Sequence, residues 1–281
     1  LRADLPEAGI LVLGVLDPSD APRAAHENIA CLVVSRDHAQ ALSDAVADEP
    51  RPLRCHAKVD TGMGRLGMLW ETADEEIAAW AGLPGLEAEG LCTHFASADA
   101  EADPFTRTQA SRFSQVIKAC EQRGIALPFR HVSNSGGILS DAAWDLSAVR
   151  PGILVYGYAA RSGERPIVTR PFMQWKTRVL QVRSVPAGFP VSYDSTFVTP
   201  APSRIATLDV GYADGYFRAF GNRGAVLIGG RRCPVIGRVT MNLTVVDVGA
   251  DSPAAPGDEV VLMGRQGDEA IWADELANWI G

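Results

Sequence analysis

Lysine is almost missing from this chain: Lys58, Lys118 and Lys176 stand against 23 arginines in 281 residues. Any chemistry that needs a lysine therefore has three candidates here. Long apolar runs are also missing. No stretch approaches the roughly 20 residues that span a bilayer, and no segment joins a basic start, an apolar middle and a cleavage site. The five cysteines (31, 55, 92, 120 and 233) lie far apart, odd in number and without a CxxC pair. That spacing excludes a disulfide framework and reads as thiols of a reducing, cytosolic compartment. Neither they nor the five scattered histidines offer a metal site by spacing. Positive charge is in deficit too, and the net charge of −8 argues against nucleic acid or an anionic membrane as partner.

What remains is a globular composition, 47% apolar and 21% charged, long enough for one large or two ordinary domains. Up to about residue 160, short apolar runs alternate with helical stretches. Strands are expected at 10–15, 29–34, 53–59, 89–94, 129–132 and 148–150. Helices are expected at 21–28, 36–47, 73–81, 106–123 and, shorter, 136–143. In the 106–123 segment Ala110, Phe113, Val116, Ile117 and Cys120 recur at three-to-four spacing, the mark of an amphipathic helix. Strand-helix alternation at this spacing means parallel strands with crossover helices. Periodicity leaves two readings open, a six-stranded open sheet or a (β/α)₈ barrel without its first two units. After Arg161 a proline-bearing linker (Pro166, Pro171) leads to segments of alternating or β-branched character at 175–185, 203–210, 224–227, 232–236, 243–248 and 259–263. These predict an all-β module, a small barrel, closed by a helix at 271–280. The expected domains are 1–161 and 162–281.

Four motifs fall at the C-terminal ends of expected strands, where barrel enzymes build their sites. Lys58 and Arg65, seven positions apart, share a strand-end loop with Gly62, Gly64 and Gly67. Glycine lets backbone approach a ligand closely, and the arginine fork suits a carboxylate or phosphate. Thr93-His94-Phe95-Ala96 closes the next expected strand, which starts near Glu89. His131-Val132-Ser133-Asn134-Ser135-Gly136-Gly137 runs from a strand into a small-residue turn opening a helix, an anion seat by its backbone N–H groups. Val149-Arg150-Pro151-Gly152-Ile153 again joins an arginine to a glycine. Taken singly, a strand-end histidine or a glycine turn is an ordinary structural feature. In this order they point to a phosphate-bearing ligand.

The blocks HAKVDTGMGRLGM, THFASAD, HVSNSGGIL, VRPGILVYG, GFPVSYDST, LDVGYADGYFRAF and PVIGRVTMNLTVVDV, spread over residues 56–248, resemble the successive signatures of the alanine racemases, in family order. The resemblance implies a (β/α)₈ barrel followed by a mainly β-strand domain, with pyridoxal 5'-phosphate (PLP) as cofactor and L- and D-alanine as substrates. It assigns Arg150 to the pyridine nitrogen, His131 to orienting Arg150, and His94 to the side of the ring. Ser135, with backbone groups of Gly152 and Ile153, would hold the phosphate. An arginine, with its pKa above about 12, leaves the pyridine nitrogen unprotonated. Tyr193 would be the catalytic base on one face of the substrate, and nearby cations must lower its pKa from about 10 for that task. Arg65 and the Met241 backbone would bind the substrate carboxylate. Tyr212 would stand near the entrance, and Lys58, often carbamylated in the family, would support Arg65. The resemblance further implies a head-to-tail homodimer, each β module serving the opposite subunit's cofactor, in a cytoplasmic enzyme that supplies D-alanine for peptidoglycan.

Two departures stand out. The family's cofactor-linking lysine sits in a KANAYGHG block at the end of the first barrel strand, and this chain has no such block. It belongs to the same two βα units that the strand count misses, so the lysine is expected upstream of Leu1, and the 281 residues alone are expected to be inactive. A family segment beyond Gly281, bearing a tyrosine that touches the phosphate, is missing as well. Asn242 replaces the usual aspartate beside Met241, which keeps a broader amino-acid racemase open. A non-catalytic PLP-binding homologue is the other alternative. A PLP-barrel decarboxylase is disfavoured, because no block matches its phosphate site or its partner-subunit cysteine.

Overall fold

The computed structural model describes residues 1–100, 104–159 and 167–281. It divides into two compact units, Leu1–Thr169 and Arg170–Gly281. The expected boundary at 161/162 lies outside the described residues.

In the first unit the elements run β1 (Ile10–Val15), α1 (Ala21–His26), β2 (Ile29–Val33), α2 (Arg36–Ala45), β3 (Leu53–Asp60), β4 (Met68–Leu69), α3 (Ala73–Trp80), β5 (Leu86–Cys92), α4 (Pro104–Gln122), β6 (Phe129–His131) and α5 (Ser135–Ser140). The sheet order is β1-β2-β3-β5-β6, all parallel, with β4 beside the end of β3. It is a curled parallel half-barrel. One face carries Cys31, Val33, Cys55, Ala57 and Val59 into a core with Leu42, Ile77, Phe113 and Val116 of the helices. Burying this face supplies the main driving force for the unit. The other face carries the alternate residues of β3, namely Arg54, His56 and Lys58. A parallel strand covered on both faces is normally apolar throughout. Three polar side chains at period two mark the inner face as a place for chemistry.

The expected strand at 148–150 does not form. The Ser147 and Arg150 N–H groups donate to the Arg130 and Ser133 carbonyls, both at 2.9 Å, so this segment runs beside β6. Pro151 then removes the next donor, and two bonds do not make a ladder. The parallel path thus has five strands where six were expected.

The second unit comprises β7 (Trp175–Val185), β8 (Pro190–Val191), β9 (Phe197–Val198), β10 (Ser203–Leu208), β11 (Ala225–Ile228), β12 (Arg231–Pro234), β13 (Thr244–Asp247), β14 (Glu259–Gln266), β15 (Glu269–Ile271) and α6 (Ala273–Ile280). The main sheet is antiparallel, in the order β12-β11-β14-β7-β10-β13, with β15 on β14. A bridge between Val235 and Val246 joins its two ends, which closes the sheet into the expected small barrel around Leu208, Val226, Val246 and Leu262. The β11–β12 hairpin turns on Gly229 and Gly230, both at positive φ (58° and 74°), as a tight turn of matching twist requires. The closing helix starts two residues later than expected, because Ile271 pairs with Gly264 in β15.

Candidate active site

The inner face of the first unit opens at its C-terminal strand ends into a cavity of about 420 Å³. Leu13 and Leu32 form its apolar wall; Lys58, Arg65, His94 and Arg150 supply its polar lining. Among the described residues, three cations and no carboxylate line this space, so it selects an anion.

The loop from Lys58 to Arg65 is shaped by its own backbone. Asp60 accepts hydrogen bonds from the Gly62 and Met63 N–H groups, both at 2.8 Å, an Asx turn. Burial raises the Asp60 pKa, but the N–H donors of Gly62, Gly64 and Met63 outweigh it and hold the carboxyl below its usual range. Gly67 (φ +115°) lets β4 lie against β3, since a Cβ there would sit 2.6 Å from the Lys58 carbonyl oxygen. Lys58 is 8% exposed, and among the described residues its Nζ reaches only the neighbouring Val59 carbonyl, at 3.4 Å. Burial, aided by Arg150 and Arg65, lowers its pKa.

Arg150 is the hub. Its Nη2 donates to the carbonyls of Thr93 (2.7 Å) and Val132 (2.9 Å) and, more weakly, to His94 Nδ1 at 3.5 Å. Its Nη1 donates to His131 Nδ1 at 2.6 Å. Among the described residues its Nε–H has no acceptor, and Arg150 lines the cavity. A donor is therefore left for a ligand acceptor. Burial, then Arg150, holds His94 down at about 4 and His131 at about 3, so both imidazoles are neutral at pH 7. Behind His131, its Nε2 lies 2.9 Å from His56 Nδ1, and His56 Nε2 lies 3.3 Å from Glu89.

Asn134 caps α5 through Gly137 N–H at 3.0 Å, which places Ser135 at the first helical position. Ser135 Oγ accepts from the N–H groups of Gly152 (3.0 Å) and Leu154 (3.4 Å). Its own O–H is left to donate. Ile153 opens the short 3-10 turn that follows Gly152. Ser135, Gly152 and Ile153 thus come together as the sequence implied. Gly152 contributes by anchoring the serine rather than by a spare N–H.

Both halves of the chain match family models described as alanine racemase, the N-terminal domain over residues 1–160 and the C-terminal domain over residues 172–281. The chain belongs to the alanine racemase family. It is 42% identical to the alanine racemase of Carboxydothermus hydrogenoformans over 279 residues, which cover 98% of this chain and 75% of that one. Among solved structures, the alanine racemase of Bacillus anthracis with bound L-Ala-P superimposes with a TM-score of 0.89 at 33% identity, over all of this chain and 72% of that one. That of Streptomyces coelicolor gives 0.90 at 31%, over all of this chain and 76% of that one.

The remaining family positions lie in the second unit. Tyr193 is 71% exposed and is flanked by Ser192, Asp194 and Ser195, all at positive φ (61°, 58° and 48°). Three non-glycine residues in this region around one side chain are costly, and such strain gathers at functional positions. The loop is held by Ser192 Oγ–H donating to the Arg238 carbonyl (2.7 Å) and by an Arg238–Asp194 ion pair (3.0 Å). Tyr212 and Met241 are tied together: Tyr212 N–H donates to the Thr240 carbonyl at 3.0 Å and Ala213 N–H to that of Met241 at 2.9 Å. Gly211 permits this, because a Cβ there would strike both carbonyls.

Lys58 is the one lysine in the cavity lining; Lys176 pairs with Glu259 in the second unit. Sequence reasoning gave no role to His56 or Glu89. The available signal was the polar alternation Arg54, His56, Lys58 within an otherwise buried strand. No helix among the described residues is long and apolar enough to cross a membrane, and no cluster among them could hold a metal.

Proposed function

We propose that this chain is the larger part of a PLP-dependent alanine racemase, in which the unpaired Nε–H of Arg150 receives the pyridine nitrogen. That donor, in a cavity lined among the described residues by three cations and no acid, is the observation that carries the reading. The residues present fit the cofactor's ring and phosphate; its covalent lysine is not among these 281 residues. A solved relative from Bartonella henselae, 26% identical, is an alanine racemase with covalently bound pyridoxal phosphate.

When bound, PLP supplies an electron sink conjugated to the α-carbon of the substrate. Arg150 lends that sink a hydrogen bond without a proton, because even with its pKa lowered by burial a guanidinium does not deprotonate at neutral pH. The sink stays weak, which favours return of the α-proton over side reactions. Ser135 O–H, anchored by the Gly152 N–H, would hold the phosphate together with the Ile153 backbone. His94, kept neutral, packs beside the ring without adding charge. Tyr193 takes or returns the α-proton on one face, and Arg65 with the Met241 backbone holds the substrate carboxylate. Tyr212, tied to the Met241 turn, narrows the entrance. Lys58, desolvated and poorly partnered, suits carbamylation, and the carbamate oxygens would accept from Arg65. The enzyme works as a head-to-tail homodimer in the cytoplasm, the Tyr193 and Met241 of one subunit serving the cavity of the other, and supplies D-alanine to peptidoglycan.

The test uses the complete protein. Tyr193→Phe and Arg150→Ala should each depress alanine racemisation by at least ~100-fold. Mixing and reassociating the two variants should restore part of the activity, because hybrid dimers regain one intact site. Full activity in Tyr193→Phe would overturn the catalytic assignment, and no recovery on mixing would overturn the shared site. Rates with L-serine and L-lysine close to that with L-alanine would shift the reading to a broader racemase, as the neutral Asn242 allows.

A further inference from the structure

Behind Arg150, a row of polar side chains descends the inner face of the sheet. Arg150 Nη1 meets His131 Nδ1 at 2.6 Å, His131 Nε2 meets His56 Nδ1 at 2.9 Å, and His56 Nε2 meets Glu89 Oε2 at 3.3 Å. The other carboxylate oxygen of Glu89 accepts from Arg54 Nη1 at 3.0 Å. The two imidazoles are 1% and 3% exposed, while Glu89 and Arg54 remain about a quarter exposed at the lower rim.

This row has a direction. A guanidinium only donates, so His131 Nδ1 must accept, and the ring proton of His131 resides on Nε2. That N–H must donate to His56 Nδ1, which puts the proton of His56 on its own Nε2. From there it donates to Glu89, which as a carboxylate only accepts. An obligate donor at one end and an obligate acceptor at the other leave one arrangement of protons between them.

We propose that Arg150, His131, His56 and Glu89 form a one-way hydrogen-bonded relay in which Glu89 and His56 act as positioning residues, locking both imidazoles in the neutral Nε2–H tautomer and so aiming the Arg150 fork. Packing supports it independently. Gly90, next to Glu89, has no room for a side chain: a Cβ would lie 2.6 Å from His56 Nδ1 and 2.5 Å from the Phe129 carbonyl oxygen. The β3–β5 register slips between Cys55 and His56, which sets His56 opposite that glycine. Phe129 stands edge-on to both imidazoles, at 5.3 and 5.8 Å between ring centroids. The charged groups facing the two rings are Arg150 and Lys58 above and Arg54 and Glu89 below. Burial and these cations hold His131 at about 3, and burial lowers His56 despite Glu89. Neutral rings are what the relay needs.

The inference rests on the racemase reading only for its final step, from an aimed Arg150 to catalysis; the tautomers are testable without it. In the complete protein with cofactor bound, nitrogen-15 NMR of the imidazoles should show His56 and His131 neutral, with the proton on Nε2, from pH 6 to 9. An Nδ1–H tautomer or an imidazolium at either ring in that range would overturn the relay, whatever the enzyme's activity. Glu89→Leu removes the acceptor and Glu89→Gln keeps one. The first should lower kcat roughly 10-fold, in the range that losing such supporting partners costs elsewhere, with little change in KM, and should shift the nitrogen-15 resonance of His56 Nε2, whose N–H loses its acceptor. The second should restore both readouts to near wild type. A folded Glu89→Leu protein with unchanged kcat and an unchanged His56 Nε2 resonance would refute the positioning role, and should that variant fail to fold, the wild-type spectrum alone decides.

Discussion

Arg150 spends three of its five donors on backbone carbonyls and His131, which holds a buried guanidinium in place and satisfies most of its fork. The same tightness surrounds His56. At Gly90 any side chain must push either a β6 carbonyl or an imidazole. Gly90→Ala is therefore expected to cost about 1–3 kcal/mol, the usual range for overpacking, measured as a lower urea midpoint at unchanged slope. An unaltered midpoint would mean that His56 has a second position to occupy. His56 was not legible as a site residue in the sequence, because a histidine within a buried strand is indistinguishable from a satisfied core residue. Lys58, Arg65, His94, His131, Ser135 and Arg150 could be singled out because each lies at or just beyond an expected strand end, beside a glycine or small-residue turn.

At the level of elements, sequence and structure agree best where the periodicity is longest. The bounds of β1 and β7 coincide with the expected 10–15 and 175–185, and α4 carries its apolar row inward through Phe113, Val116 and Cys120. Apart from β6, agreement fails where an element rests on two or three residues. β4, β8, β9 and β15 are too short to show alternation, and the 148–150 segment has strand-like composition but only two bonds to its neighbour. Helix ends follow the caps. Ser35 Oγ accepts from His38 N–H at 3.1 Å and starts α2 at Arg36. Ser35→Ala should destabilise the first unit by about 1 kcal/mol, and Ser35→Asp should retain the cap. Equal stability of Ser35→Ala and wild type would show that tertiary packing alone sets this helix start.

For the molecule as a whole, neutral buried histidines dictate the response to acid. In the unfolded chain they titrate near 6.5; in the fold His94 titrates at about 4 and His131 at about 3. Below pH 6.5 the unfolded chain binds protons that the fold refuses, so stability must fall as the pH falls toward 4. Each group adds up to about 1.4 kcal/mol per pH unit to that slope. Urea unfolding from pH 7 to 4 should show a steady loss, and a flat profile would mean that neither ring stays neutral in the fold. The cysteines complete the picture, four in the first unit and one in the second, all buried. Burial pushes the thiols of Cys120 and Cys233 up to about 11, and Cys31 and then burial raise that of Cys55. Burial thus keeps all five sulfurs from an alkylating reagent while the protein stays closed. The chain consequently carries its own reporter of which half opens first: four mass increments record the parallel sheet coming apart, and a single one records the barrel.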